Sequence, residues 1–170
     1  MLEPSPGISR FAHRVPRHGA VLDVACGSGR HSRFFLDRGH SVTAIDRDVS
    51  KLGRHENLEV VECDLEDGSP WLLNEKGDGL QYAAVVVVNY LFRPLLPRLV
   101  ASVGPGGVLL YDTFAVGNEA FGRPSNPDFL LRPDELPEAV AGELEVLDYF
   151  HGRIDGAKPA MRQSICARRS

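Results

Sequence analysis

Three aspartates and one glycine-rich loop carry the chemistry that can be read from this sequence. The loop is Asp23-Val24-Ala25-Cys26-Gly27-Ser28-Gly29. Its glycines let the chain turn sharply and approach a ligand with no Cβ in the way. Asp46 follows at close to the ~20-residue spacing at which an acid can hold a ribose diol. Asp64 is placed to accept a hydrogen bond from an exocyclic adenine amino group. This set points to an adenosine-bearing cofactor, and two kinds use such a plan. A nicotinamide site wants G-x-G-x-x-G, and its third glycine is replaced here by Ser32, small enough to keep close packing.

These residues need elements to position them, and the chain alternates short apolar strands with helical segments. Residues 20–24 read as a strand ending at the loop, and 30–38 as a helix stopped by Gly39. Residues 41–45 are a second strand ending at Asp46, and Asp48 can cap a short helix through about Gly53. Residues 58–62 form a third strand ending at Cys63-Asp64. Tyr82 to Val88 holds four consecutive valines, and such a strand belongs inside a covered parallel sheet. Pro94 and Pro97 suit a first helical turn, and Gly104-Pro105-Gly106-Gly107 is expected to stop that helix and turn into a strand over 108–112. Residues 133–135 open another helix, and 144–150 with 159–168 look like two final strands. The pattern implies an α/β fold: a Rossmann-like doubly wound sheet, mostly parallel, with helices on both faces and an antiparallel last strand. A single domain over 1–170 is expected, with 1–18 an N-terminal arm or helix and 114–131 a substrate-side loop. The helices after the second and third strands look short, leaving the adenine side open.

Composition narrows the partners. The chain of 170 residues is 43% apolar and 25% charged, enough to bury a core. Its formal charge of -4 advertises no basic field for nucleic acid. Cys26, Cys63 and Cys166 form no CxxC pair, so neither a metal site nor a disulfide framework is expected. The N-terminal residues lack a signal-peptide pattern, and no apolar run approaches the ~18 residues needed to span a bilayer. A cytoplasmic monomer or homodimer acting on a small molecule is the expectation.

The loop, the acid four residues before its first glycine, and the Asp64-Leu65 pair resemble the class I S-adenosylmethionine-dependent methyltransferases, over nearly the whole chain. That resemblance implies S-adenosylmethionine as cofactor and S-adenosylhomocysteine as product. It sets Asp23, Ala25, Cys26, Gly27 and Gly29 against the methionine part, and Asp46 on the ribose hydroxyls with Arg47 beside the adenine. Asp64 and the N–H of Leu65 would read the adenine edge, and Asn89 would offer its carbonyl to the methionine ammonium. The runs Asn89-Tyr90-Leu91-Phe92-Arg93-Pro94 and Phe121-Gly122-Arg123-Pro124-Ser125-Asn126-Pro127 look most like small bacterial tellurite-resistance-type methyltransferases.

For the acceptor the candidates are fewer. Tyr90 or His31 could take a proton, although His31 in a first helical turn suits a surface or cofactor-edge place better. Arg93 or Arg123 could hold an anionic acceptor. Phe114 and Asn126 belong to the substrate-side loop, whose aromatics Phe114, Phe121 and Phe129 could equally staple it to the domain. Cys26 reads as a small residue in a tight loop, not a nucleophile. The competing readings are a non-catalytic cofactor-binding module and a small nicotinamide oxidoreductase, the latter without a recognisable Tyr-x-x-x-Lys or His/Asp pair.

Overall fold

The valine-rich strand lies where its composition requires, at the centre of a seven-stranded sheet. In this computed structural model, residues 2–69, 71, 72 and 79–170 are described. The strands are β1 (Val21–Val24), β2 (Val42–Asp46), β3 (Leu58–Glu62), β4 (Tyr82–Val88), β5 (Val103–Phe114), β6 (Glu145–Ile154) and β7 (Ala160–Arg168). Their order is β3-β2-β1-β4-β5-β7-β6. The first five run parallel, and β7 is antiparallel to both β5 and β6.

Two apolar layers form on the two faces because alternate residues of each strand point opposite ways. On one face Ile8, Val21, Phe35, Val86 and Leu110 pack together under α1 (Pro6–Ser9) and α2 (Arg30–Leu36). On the other, Leu22, Val85, Leu99, Tyr111 and Leu136 pack under α3 (Leu96–Ala101) and α4 (Glu135–Val140). The only tryptophan, Trp71, joins this second layer and donates its indole N–H to Ser102 Oγ at 2.9 Å. No helix among the described residues is long and apolar enough to cross a membrane.

Two expectations change. Asp48 caps no helix; its Oδ1 accepts from the backbone N–H of Ser50 at 3.0 Å, closing a tight turn. A short polar side chain that satisfies a nearby N–H competes with helix formation. Gly104 to Gly107 do not end the α3 segment but lie inside β5, at an irregularity in its pairing with β4. A Cβ on Gly107 would stand 2.7 Å from the carbonyl oxygen of Tyr82, so glycine is what allows the strands to close there. The N-terminal residues form only short pieces, but Ile8 is fully buried, so the arm is part of the core layer. β3 is an edge strand with no buried residue.

Candidate functional site

The C-terminal ends of β1, β2, β3 and β4 converge, as parallel sheets dictate, and each delivers a candidate. After β1 the backbone is left-handed at Ala25 (φ 53°), Gly27 (φ 55°) and Gly29 (φ 82°). Ala25 bears a Cβ in a region where such residues are rare, and strain of this kind gathers at ligand sites. The N–H of Gly29 returns to the carbonyl of Cys26 at 2.9 Å, closing the turn. Cys26 is buried, and burial pushes its thiol up to about 12, which removes any nucleophilic role at neutral pH.

Asp23 stands beneath this loop, 2% exposed, with Ser32 Oγ donating to its Oδ2 at 2.6 Å. Burial raises its carboxyl to about 6, against the lowering effect of the Ser32 bonds. Asp23 therefore braces α2 against β1 from inside. Ser32, at the third position of the glycine pattern, is the partner that makes this brace.

Asp46 holds the loop from the neighbouring strand. Its Oδ2 accepts from Gly27 N at 2.9 Å and its Oδ1 from Asp48 N at 3.0 Å. Asp64 closes a similar turn, accepting from Glu66 N at 2.9 Å. A cavity of about 300 Å³ lies between them, lined by Ala25, Asp46, Arg47, Asp64, Leu65 and Tyr90. Cys63 to Glu66 separate it from a second recess of about 280 Å³ reaching Trp71 and Phe92.

Tyr90 supplies the sharpest sign of a ligand. Among the described residues its hydroxyl is the one buried side-chain polar atom without a hydrogen-bond partner. Burial, with Glu66, Asp64 and Asp46 nearby, drives its acidity well below that of an ordinary phenol. Tyr90 thus lies among the acids of this cavity, and its tightly held proton makes it unsuited to act as a base. A neutral O–H donor among acidic acceptors suits an adenosine-sized polar guest.

Asn89 takes a left-handed φ of 55° at the end of β4. Its N–H donates to the carbonyl of Asp112 at 3.0 Å, and its Oδ1 accepts from Arg162 Nη2 at 2.7 Å. Arg162 also donates from Nε to Asp112 Oδ1 at 2.9 Å, and Asp112 Oδ2 accepts from the Ser5 hydroxyl. This network was not anticipated. Asp112 ends the apolar part of β5 just as Asp46 ends β2, so the same strand-end rule would have found it.

His31 is corrected by this arrangement. It is 4% exposed beneath the N-terminal arm, and its Nε2 accepts from Ser5 N at 3.0 Å. Burial, then the Arg30 charge, push its pKa down to about 4. It is a neutral structural acceptor, neither on the surface nor available as a base.

Arg93 is also removed from the acceptor list. Its Nε and Nη2 donate to Glu135 at 2.6 and 3.0 Å, and its remaining bonds go to the carbonyls of Asp128 and Leu130. Burial works against the Glu135 carboxylate, but the Arg93 and Arg132 donors outweigh it and hold its pKa down. The pair latches the 114–131 loop to α4. Within that loop, Asn126 Oδ1 accepts from Asp128 N at 3.0 Å, a capping role. Phe114 lies under the Arg162 guanidinium at 4.5 Å, and Arg123 is exposed. Phe129, half exposed, lines the same cavity as Asp46 and Asp64, so the loop reaches it through one of the aromatics that could also staple it to the domain. No group of acids, histidines or cysteines among the described residues could hold a metal.

The sheet order also separates the two cofactor plans, because dinucleotide folds have β6 next to β5 with no inserted antiparallel strand. Comparison with known proteins agrees. The family described as tellurite resistance protein TehB matches residues 9–106. The chain is 30% identical over 107 residues to the malonyl-[acyl-carrier protein] O-methyltransferase of Salmonella typhimurium, covering 58% of this chain and 40% of that one. It is 28% identical over 99 residues to the trans-aconitate 2-methyltransferase of Variovorax paradoxus, covering 56% and 38%. The chain thus aligns with less than half the length of these curated relatives. The 1,6-didemethyltoxoflavin-N1-methyltransferase of Burkholderia thailandensis, solved with S-adenosylhomocysteine, superposes at a TM-score of 0.70 with 19% identity, covering 98% of this chain and 77% of that one. The fold is that of the class I methyltransferases, and the chain belongs to the family of the tellurite resistance protein TehB.

Proposed function

We propose that this protein is an S-adenosylmethionine-dependent methyltransferase acting on a small molecule through a nucleophilic N, O, S or heavier chalcogen atom. The observation that carries the reading is the cavity at the strand ends, lined by Asp46, Asp64 and Tyr90, whose buried hydroxyl has no hydrogen-bond partner. The cofactor supplies an electrophilic methyl group on a positively charged sulfur. Asp46 accepts from the ribose hydroxyls with its remaining lone pairs, and Arg47 lies beside the purine. Asp64 and the N–H of Leu65 meet the purine edge, and the Tyr90 hydroxyl donates into the same pocket. The left-handed loop at Ala25 to Gly29 and the turn at Asn89 set the methionine end. These groups orient and desolvate, which can lower a barrier by about 7 kcal/mol or more with no protein nucleophile. The three cysteines are free thiols and the matched relatives are bacterial, which fits work in a reducing bacterial cytoplasm.

The test is incubation with methyl-labelled S-adenosylmethionine and panels of carboxylates, amines, thiols and chalcogen oxyanions. Label transferred to an acceptor supports the reading. Tight cofactor binding without transfer to any panel would make the protein a binding module instead.

A further inference from the structure

A separate cavity of about 470 Å³ opens between the N-terminal arm and the β5-β7-β6 side of the sheet. Its two ends differ in chemistry. Beside the glycine loop it is bounded by Arg30, Asn89, Asp112 and Arg162; over β6 it is bounded by Phe11, Phe150 and Ile154. Arg162 and Asp112 are committed to each other, to Asn89 and to Ser5. Arg30 differs from them. Its Nη1 donates to the carbonyl of Glu3 at 3.1 Å, and among the described residues it forms no ion pair. A half-buried guanidinium with donors to spare matches the two oxygens of a carboxylate. Phe150 and Ile154 are 37% and 43% exposed, an apolar surface at the other end of the same cavity. The Arg10–Asp148 pair, 3.8 Å apart, closes the rim there.

We propose that this cavity is the acceptor site and that the acceptor is an amphipathic carboxylate, its anionic end on Arg30 and its apolar body on Phe11, Phe150 and Ile154. The inference rests on the methyltransferase reading above. A carboxylate needs no base, and the loop end of the cavity offers none: His31 Nε2 accepts from Ser5 N, and both Asp112 oxygens already accept. A carboxylate oxygen lone pair forms the new O–CH3 bond as the S–CH3 bond breaks. The breaking pair stays on sulfur, which becomes a neutral thioether, and the carboxylate becomes a neutral methyl ester. No proton moves. The ester has lost the charge that Arg30 held, which favours its release.

Calorimetry of octanoate and 3-phenylpropionate with the S-adenosylhomocysteine-loaded protein tests this, with octylamine as the control. Saturable binding of either acid, none of the amine, and methyl ester formed with S-adenosylmethionine are expected. Arg30→Met should weaken the acid at least tenfold while moving S-adenosylhomocysteine affinity less than twofold. Phe150→Ser and Ile154→Ser, at exposed positions that folding tolerates, should each weaken it about threefold. The inference is overturned if neither acid binds, if Arg30→Met leaves the acid unchanged, or if Arg30→Met weakens S-adenosylhomocysteine instead. Binding of S-adenosylhomocysteine without either acid removes only the acceptor assignment; no binding of S-adenosylhomocysteine removes the methyltransferase reading itself.

Discussion

The two wings of the sheet are built differently. In the β1-β2-β3 wing, polar residues bond to backbone two positions away or to the adjacent strand end, as at Asp46, Asp48 and Asp64. In the β4-β5-β7-β6 wing they bond across long stretches of chain: Arg93 to Glu135, Arg162 to Asn89, and Gln163 to the N–H of Leu136 and the carbonyl of Arg132. Both edge strands are thinly covered, with Val60 of β3 40% and Ile154 of β6 43% exposed, but beside β6 the Gln163 side chain is fully buried and tied to distant backbone. A wing held by local turns can be shaped around a ligand with little effect on the fold. A wing held by long-range polar ties couples its loops to global stability.

The largest effect that sharpens this contrast is expected at Glu135. Glu135→Ala leaves Arg93 beside an empty, largely buried site and should cost about 3 kcal/mol, the low end for breaking a buried pair. Thermal unfolding should show it as a large drop in Tm, partly restored in Glu135→Gln, which keeps an acceptor. A drop no larger than that of a surface variant would break the contrast.

Two titrations at the seam between the wings come next. The Asp23 carboxyl is raised to about 6, so its contribution favours the fold at acid pH and is lost as pH rises from about 4 through 6. His31 is lowered to about 4, so its contribution is present above pH 6.5 and is lost as pH falls toward 4. Each shift is worth up to about 3 kcal/mol, and over this window the slopes oppose one another. Asp23→Asn should therefore lose stability on acidification more steeply than the parent, and His31→Gln should gain relative to it. Tm measured at several pH values between 4 and 7 checks both signs.

How much of this was legible follows from the same difference. Asp46, Asp64 and the Gly27–Gly29 turn stand at strand ends, and their spacing along the chain places them directly. The positions of Arg93 and His31 were not legible. Arg93 meets a partner 42 residues away, and the 26-residue separation between His31 and Ser5 depends on where the arm folds back. Spacing places residues along strands and helices; it does not say which distant chain segment covers them. The Asp48 turn was missed for a smaller reason, because a capping residue serves a tight turn as well as a helix.

On the β1-β2-β3 wing, smaller effects should fall on the ligand. Asp46→Ala should weaken S-adenosylhomocysteine by about 2 kcal/mol, as for a lost hydrogen bond to a charged group, and leave most of the fold's stability in place. Tyr90→Phe should weaken it by about 1 kcal/mol while leaving the empty protein as stable or more so, since an unpartnered buried hydroxyl is removed. Val60→Thr on the exposed strand β3 should change stability by no more than about 0.5 kcal/mol. A larger loss there would mean that this edge is covered after all.

The central claim is that the cavity between Asp46, Asp64 and Tyr90 holds the adenosine part of a sulfonium cofactor. Calorimetric titration of the parent and of Asp46→Ala with S-adenosylhomocysteine and with NADH tests it most directly. The account predicts one-site binding of S-adenosylhomocysteine, weakened at least tenfold in Asp46→Ala, and no saturable heat with NADH. Binding of NADH in its place, or S-adenosylhomocysteine affinity indifferent to Asp46, would contradict it.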